Sequence, residues 1–114
     1  SLGARTRIKT LTPQTRQDNA RFLGSPAEVP RHVLTQGLGT ILDARHLLLL
    51  ATGPAKAAAV AAAVEGPLTA SCPASVLQLH PHATVLVDPP AASLLSQLDY
   101  YRSVYADKPH WQHL

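Results

Sequence analysis

The sequence predicts an α/β fold, a parallel sheet flanked by helices, on three observations. Leu47–Ala51 and Ala83–Val87 are apolar runs of strand length, helix-forming stretches lie between and after them, and Gly or Pro marks the boundaries. An unbroken apolar strand such as Leu47–Ala51 is the kind buried on both faces of a parallel sheet. No internal repeat or low-complexity linker divides the chain, so one domain is expected.

Taken in order, Thr6–Leu11 reads as a strand whose alternation sends Arg5, Arg7 and Lys9 to one face and Thr6, Ile8 and Thr10 to the other. Thr12-Pro13 has the cap-then-proline form of a helix start, which predicts a helix over Gln14–Phe22 ended by Gly24-Ser25-Pro26. Val33–Thr35 suits a short strand, and Gly37-Leu38-Gly39-Thr40 a flexible turn into a brief helix over Ile41–Ala44. After the strand Leu47–Ala51, Thr52-Gly53-Pro54 breaks the run. The alanine-rich stretch from Ala55 to Glu65 is strong helix material with Gly66-Pro67 as its stop. A second helical segment covers Pro73–Leu79. Pro89-Pro90 closes the last strand, and Leu94, Leu95, Leu98, Tyr101 and Tyr105 predict one amphipathic helix over Ala91–Tyr105 that packs back on the sheet. The polar tail, Asp107–Leu114, is expected to be loose.

Composition narrows the function. The chain has 114 residues, 46% of them hydrophobic and only 4% aromatic, so its core is built from small and aliphatic side chains. The net charge of +3 gathers at the start, where Arg5, Arg7, Lys9, Arg16 and Arg21 face one acid, Asp18. That asymmetry points to an anionic partner. Phe22 is the lone aromatic before Tyr100, too few stacking groups for a nucleic-acid surface, so a small anion fits better. One cysteine excludes an internal disulfide, no secretory signal pattern is present, and no apolar run is long enough to span a bilayer, which together suggest the cytoplasm. The absence of methionine, even at position 1, suggests a piece of a longer protein.

Chemistry concentrates at Thr52-Gly53-Pro54-Ala55-Lys56. Ligands of open α/β sheets bind beyond the carboxyl ends of the strands, where this turn is expected to deliver unpaired backbone N–H groups and a lysine to an anion. The same residues also read as a plain turn with a solvated lysine, since the spacing is looser than that of a P-loop. Arg21, near a helix end, is either a planar bidentate donor to that anion or a surface arginine. The Arg5, Arg7, Lys9 stripe is either a second anion site or the charged face of an edge strand. His80-Pro81-His82 lacks the cysteine or carboxylate partners of a metal site, and Cys72 reads as a small apolar residue with no base beside it. No pair of carboxylates and no Ser-His-Asp order stands out as catalytic.

The stretch from Ser1 to Thr12 resembles a signature of the glucosamine-6-phosphate deaminase family. The likeness continues through Asn19–Phe22, Val29-Pro30, Leu34–Ala44, Thr52–Lys56, Ala63–Gly66 and Leu77–His80. The resemblance implies that residues 1–114 are the carboxyl-terminal part of a single Rossmann-like domain, with the catalytic half lying before residue 1. The implied reaction is aldose–ketose isomerisation and deamination of glucosamine 6-phosphate to fructose 6-phosphate and ammonia, with no metal or organic cofactor. By the same resemblance Arg21 and Lys56 contact the substrate phosphate. Arg7, Lys9 and Thr10 match an allosteric site for N-acetylglucosamine 6-phosphate in hexameric members, joined in some members by a tyrosine such as Tyr100, Tyr101 or Tyr105. The parent protein is expected to be a homo-oligomer without nucleic-acid or membrane partners, and the isolated chain to be inactive. Two alternatives stand beside it: a 6-phosphogluconolactonase-type enzyme, which shares the fold, and the sugar-phosphate-sensing module of a transcription regulator, which would keep the phosphate site and dispense with the catalysts.

Overall fold

Local sequence starts and stops the first half of the chain. Thr12 caps the first helix, its Oγ1 accepting the Thr15 N–H at 3.1 Å, and Pro13 occupies the first turn, where no N–H is needed. Gly24 ends it with φ at 93°, donating its N–H to Ala20 O at 2.8 Å. In the computed structural model, which describes residues 1–113, this helix is α1 (Pro13–Leu23), set between two strands that pair antiparallel, β1 (Arg7–Thr10) and β2 (His32–Thr35). The register puts Arg7 opposite Thr35 and Thr10 opposite His32. Arg16 closes the loop back to β2 by donating to the carbonyls of Pro26 and Val29.

The second half is a strand–helix–strand unit. After the short α2 (Leu38–Leu42), β3 (Leu47–Ala51) leads through a 3-10 turn, Pro54–Lys56, into α3 (Ala57–Val64). A 3-10 stretch, Pro73–Leu79, returns the chain to β4 (Ala83–Val87), which pairs parallel with β3 in register from Leu47↔Ala83 to Ala51↔Val87. Then come α4 (Pro89–Ala92) and α5 (Leu98–Ala106). The parallel pair and its helices bear out the α/β class, with an antiparallel pair added where β1 and β2 meet.

The core is small because its residues are. Ala57, Val60 and Ala63 recur along one stripe of α3 and are buried with Val76, Ala91 and Ala92, where α3 packs on the 73–79 stretch and on α4. Ser75 is fully buried and satisfied, its Oγ accepting the Thr69 N–H and donating to the Thr69 carbonyl.

Three expectations need correcting. The strand Leu47–Ala51 is not buried on both faces: Leu47 is buried, but Leu48 and Leu50 are 60% and 69% exposed, because a single crossover covers only one face of a two-stranded sheet. Arg5 lies outside β1, its guanidinium turned to Asp43 at 2.7 Å, so it does not extend the Arg7–Lys9 stripe. The helix expected over Ala91–Tyr105 is broken after Ala92. Glu65, just past the end of α3, accepts the backbone N–H groups of Ser96 and Gln97, both at 2.9 Å, and the Ser96 hydroxyl at 2.8 Å, so α5 starts afresh from that anchor. An apolar groove of about 610 Å³ stays open between α5 and β4. In the tail, the Lys108 ammonium sits over the Tyr105 ring at 4.3 Å, and Leu114 lies outside the described residues.

Much of the surface is open. The accessible area is 8247 Å², against roughly 6000 Å² for a compact protein of this mass. The radius of gyration is 16.4 Å, against roughly 13 Å for a compact domain of this length.

The Ser96 N–H and hydroxyl, helped by the Gln97 N–H and the Tyr101 hydroxyl and opposed by desolvation, hold the Glu65 carboxyl down at about 2. A carboxyl held lower in the folded than in the unfolded chain stabilises the fold above the unfolded value of 4.5 and stops doing so as pH falls through about 2. Denaturation midpoints measured between pH 7 and pH 2 should therefore fall less in Glu65→Gln than in the parent sequence; equal slopes would show that the anchor contributes nothing.

Candidate functional site

In-register pairing delivers two chain segments to the same end of the β3–β4 sheet. Beyond Ala51 lie Thr52, Gly53 and the 3-10 turn that ends in Lys56; beyond Val87 lies Asp88. Gly53 adopts φ 84° and ψ 158°, a conformation open essentially to glycine alone. Its N–H is not free for an anion, as the turn chemistry had suggested. Both oxygens of Asp88 accept it at 3.0 Å, and Asp88 Oδ1 also caps α4 by accepting the Ala91 N–H at 2.9 Å. What the turn presents to solvent is the exposed Lys56, whose backbone N–H is tied to the Gly53 carbonyl at 3.2 Å.

Arg21 lies in the last turn of α1, with its guanidinium carbon 4.6 Å from the centre of the Phe22 ring. The chief packing of α1 is on the Pro26–Glu28 turn, whereas that of the Lys56 turn is on α3 and α4, so Arg21 and Lys56 stand on separate elements.

Arg7 and Lys9 do share a face. They line a cavity of about 260 Å³ together with Thr35, Gln36, Leu38 and the chain start at Ser1 and Leu2. Thr10 is not among its lining residues, having the opposite parity on the strand. Between the lining residues Gln36 and Leu38, Gly37 brings two backbones into close approach. A Cβ there would run into the Ala4 carbonyl, which also accepts the Gly39 N–H at 2.9 Å. These glycines let two backbones touch, a different role from a flexible turn.

The histidine pair has an internal use. His80 Nδ1 accepts the His82 N–H at 3.0 Å, so its Nε2 carries the proton and donates to the Ala44 carbonyl at 2.7 Å. Cys72 is half-buried beside the Thr69 bridge. Among the tyrosines, Tyr101 differs: its hydroxyl donates to Glu65 at 3.1 Å, and burial, that hydrogen bond and the Glu65 charge all raise its pKa. Among the described residues no helix is long and apolar enough to cross a membrane.

Asp88 and Glu65 escaped sequence reasoning. Asp88-Pro89 carries the same cap-then-proline signal as Thr12-Pro13, which was enough to expect a helix cap. Its bond to Gly53, 35 residues away, has no local signal.

No family model matches the chain. Individual relatives do. A glucosamine-6-phosphate deaminase of Streptomyces avermitilis is 69% identical over 113 residues, 98% of this chain, and one of Streptomyces coelicolor is 68% identical over the same share. The chain belongs to the glucosamine-6-phosphate deaminase family. A third deaminase, from an Arthrobacter species, is 64% identical across the whole chain. The solved structure of a monomeric glucosamine-6-phosphate deaminase superposes with a TM-score of 0.78 at 48% identity, covering 82% of this chain and 39% of its own. The chain spans 43% of the length of the Streptomyces relatives and corresponds to the carboxyl-terminal part of the family's Rossmann-like fold.

Because the Gly37 contact is backbone against backbone, Gly37→Ala should lower stability by about 1–3 kcal/mol in chemical denaturation. Gly3→Ala, where an added Cβ meets nothing within 4 Å, should stay within about 0.5 kcal/mol of the parent.

Proposed function

We propose that this chain is the phosphate-holding part of a glucosamine-6-phosphate deaminase, which isomerises and deaminates glucosamine 6-phosphate to fructose 6-phosphate and ammonia in amino-sugar catabolism. The carrying observation is Lys56, exposed on a glycine turn at the carboxyl end of a parallel strand pair, in a chain up to 69% identical to proteins of that name. An ammonium at that end of an open sheet lies where anionic ligands bind. Arg21 supplies a second, planar donor suited to phosphate oxygens, coming from a separate element. The deaminase names of the relatives set aside the lactonase and regulator readings.

Proton transfer between the sugar carbons needs an acid and a base within hydrogen-bond reach of the substrate. Two of the chain's carboxylates are engaged in structural hydrogen bonds, Asp88 with Gly53 and Ala91 and Glu65 with Ser96, Gln97 and Tyr101, which supports a reading in which the acid and base come from elsewhere in the enzyme. Catalysis therefore falls to the remaining length that the relatives possess, which also completes the single domain of which residues 1–114 form the later part. The Arg7–Lys9 cavity is the candidate site for N-acetylglucosamine 6-phosphate as activator, with Thr10 beside it on the same strand. In this reading the enzyme is a cytoplasmic homo-oligomer.

Two measurements test this reading. In the full-length enzyme, Lys56→Ala and Arg21→Ala should each raise KM for glucosamine 6-phosphate about tenfold, the worth of one charge-assisted hydrogen bond, with a smaller effect on kcat; an unchanged KM counts against the phosphate assignment. The purified 114-residue chain should release no ammonia from the same substrate, and measurable release would refute the division of labour.

A further inference from the structure

We infer that Asp88 is a positioning residue for the anion site, holding the Gly53 turn and through it Lys56; this rests on the phosphate role proposed for Lys56. The chain of contacts is short. Asp88 grips the Gly53 N–H with both carboxylate oxygens at 3.0 Å, and the carbonyl of the same glycine accepts the Lys56 N–H at 3.2 Å. Lys56 is thus connected to the end of β4 through a single residue.

That residue needs the support. Gly53 sits at φ 84°, an added Cβ there would meet nothing within 4 Å, and glycine has the largest conformational freedom to lose. No neighbour would hold a side chain there, so at Gly53 itself the turn's conformation is fixed by the backbone hydrogen bonds to Asp88. A carboxylate is suited to the task because it accepts several N–H groups at once, here Gly53 and Ala91, so one side chain orients the Lys56 turn and the start of α4 together. The half-buried position of Asp88 keeps water from competing freely for those donors. The arrangement also leaves the anion to the Lys56 side chain, since the Gly53 N–H is already spoken for.

The test uses the full-length enzyme with three variants and Lys56→Ala as reference. Asp88→Ser keeps an oxygen that can cap α4 at Ala91 but is too short to span to Gly53 as well. It should raise KM for glucosamine 6-phosphate about tenfold while kcat changes by less than about twofold. Asp88→Asn, which retains an acceptor oxygen at the original distance, should restore most of the affinity, and Asp88→Ala should be at least as impaired as the serine variant. Hydrogen exchange should speed up in the peptide containing Gly53 in Asp88→Ser, with the rest of the enzyme unchanged. If Lys56→Ala raises KM and Asp88→Ser does not, the positioning role is wrong and the phosphate reading stands. If Lys56→Ala leaves KM unchanged, the phosphate reading fails and takes the Asp88 role with it. Faster exchange throughout the Asp88→Ser enzyme would mark Asp88 as merely structural and also overturn the inference.

Discussion

The in-register parallel pairing of β3 with β4 sets Ala51 against Val87, so the segments that follow leave the sheet side by side. A slip of one residue would turn every strand side chain to the other face and move Asp88 away from Gly53. From this pairing follow the Asp88–Gly53 bond, the position of the Lys56 turn and the start of α4. The crossover carrying α3 then packs its alanine and valine stripe on the 73–79 stretch and α4. Glu65 completes the unit by accepting the N–H groups of Ser96 and Gln97, the two residues that lead into α5.

The rest of the molecule is notably open. Leu48, Leu50 and Leu86 face outward on the sheet, and Ile8 and Leu34, paired across β1 and β2, do the same. Two strands and one crossover bury one face of a sheet, and a core made of alanine and valine removes little area per residue. The antiparallel pair is tied to the second half through backbone contacts at Gly37 and Gly39 and the Arg5–Asp43 bridge. The Arg7–Lys9 cavity is lined by chain segments well apart in sequence, from Ser1 to Pro73.

Legibility followed the range of the forces involved. Both strands of the parallel pair were readable to the residue, since apolar runs bounded by turn residues are local signals. The Thr12 cap and the Gly24 stop were readable for the same reason. Lys56 was placed correctly at the end of a strand, but the Gly53 N–H beside it was expected to be free. The split between α4 and α5 was hidden too. Amphipathic spacing through Leu94, Leu95 and Leu98 argues for one helix, but the chain leaves the helix after Ala92 and Glu65, 31 residues from Ser96, holds the segment from which α5 restarts. Arg5 shared the parity of Arg7 and Lys9, yet Asp43, 38 residues away, claimed it.

What the sequence by itself determined is the order of strands and helices, the turns between them and the family to which the chain belongs, because periodicity, capping residues and ordered blocks of identity act within a few residues. What only the tertiary structure decided is where the hydrogen-bonding capacity of Asp88, Glu65, His80 and Arg5 is used. Each finds its partner tens of residues away, and such pairings depend on strand register and backbone approach, which no local pattern encodes. The turn beneath Lys56 is the clearest case: sequence chose its glycine and lysine, and the fold chose the carboxylate that orients them.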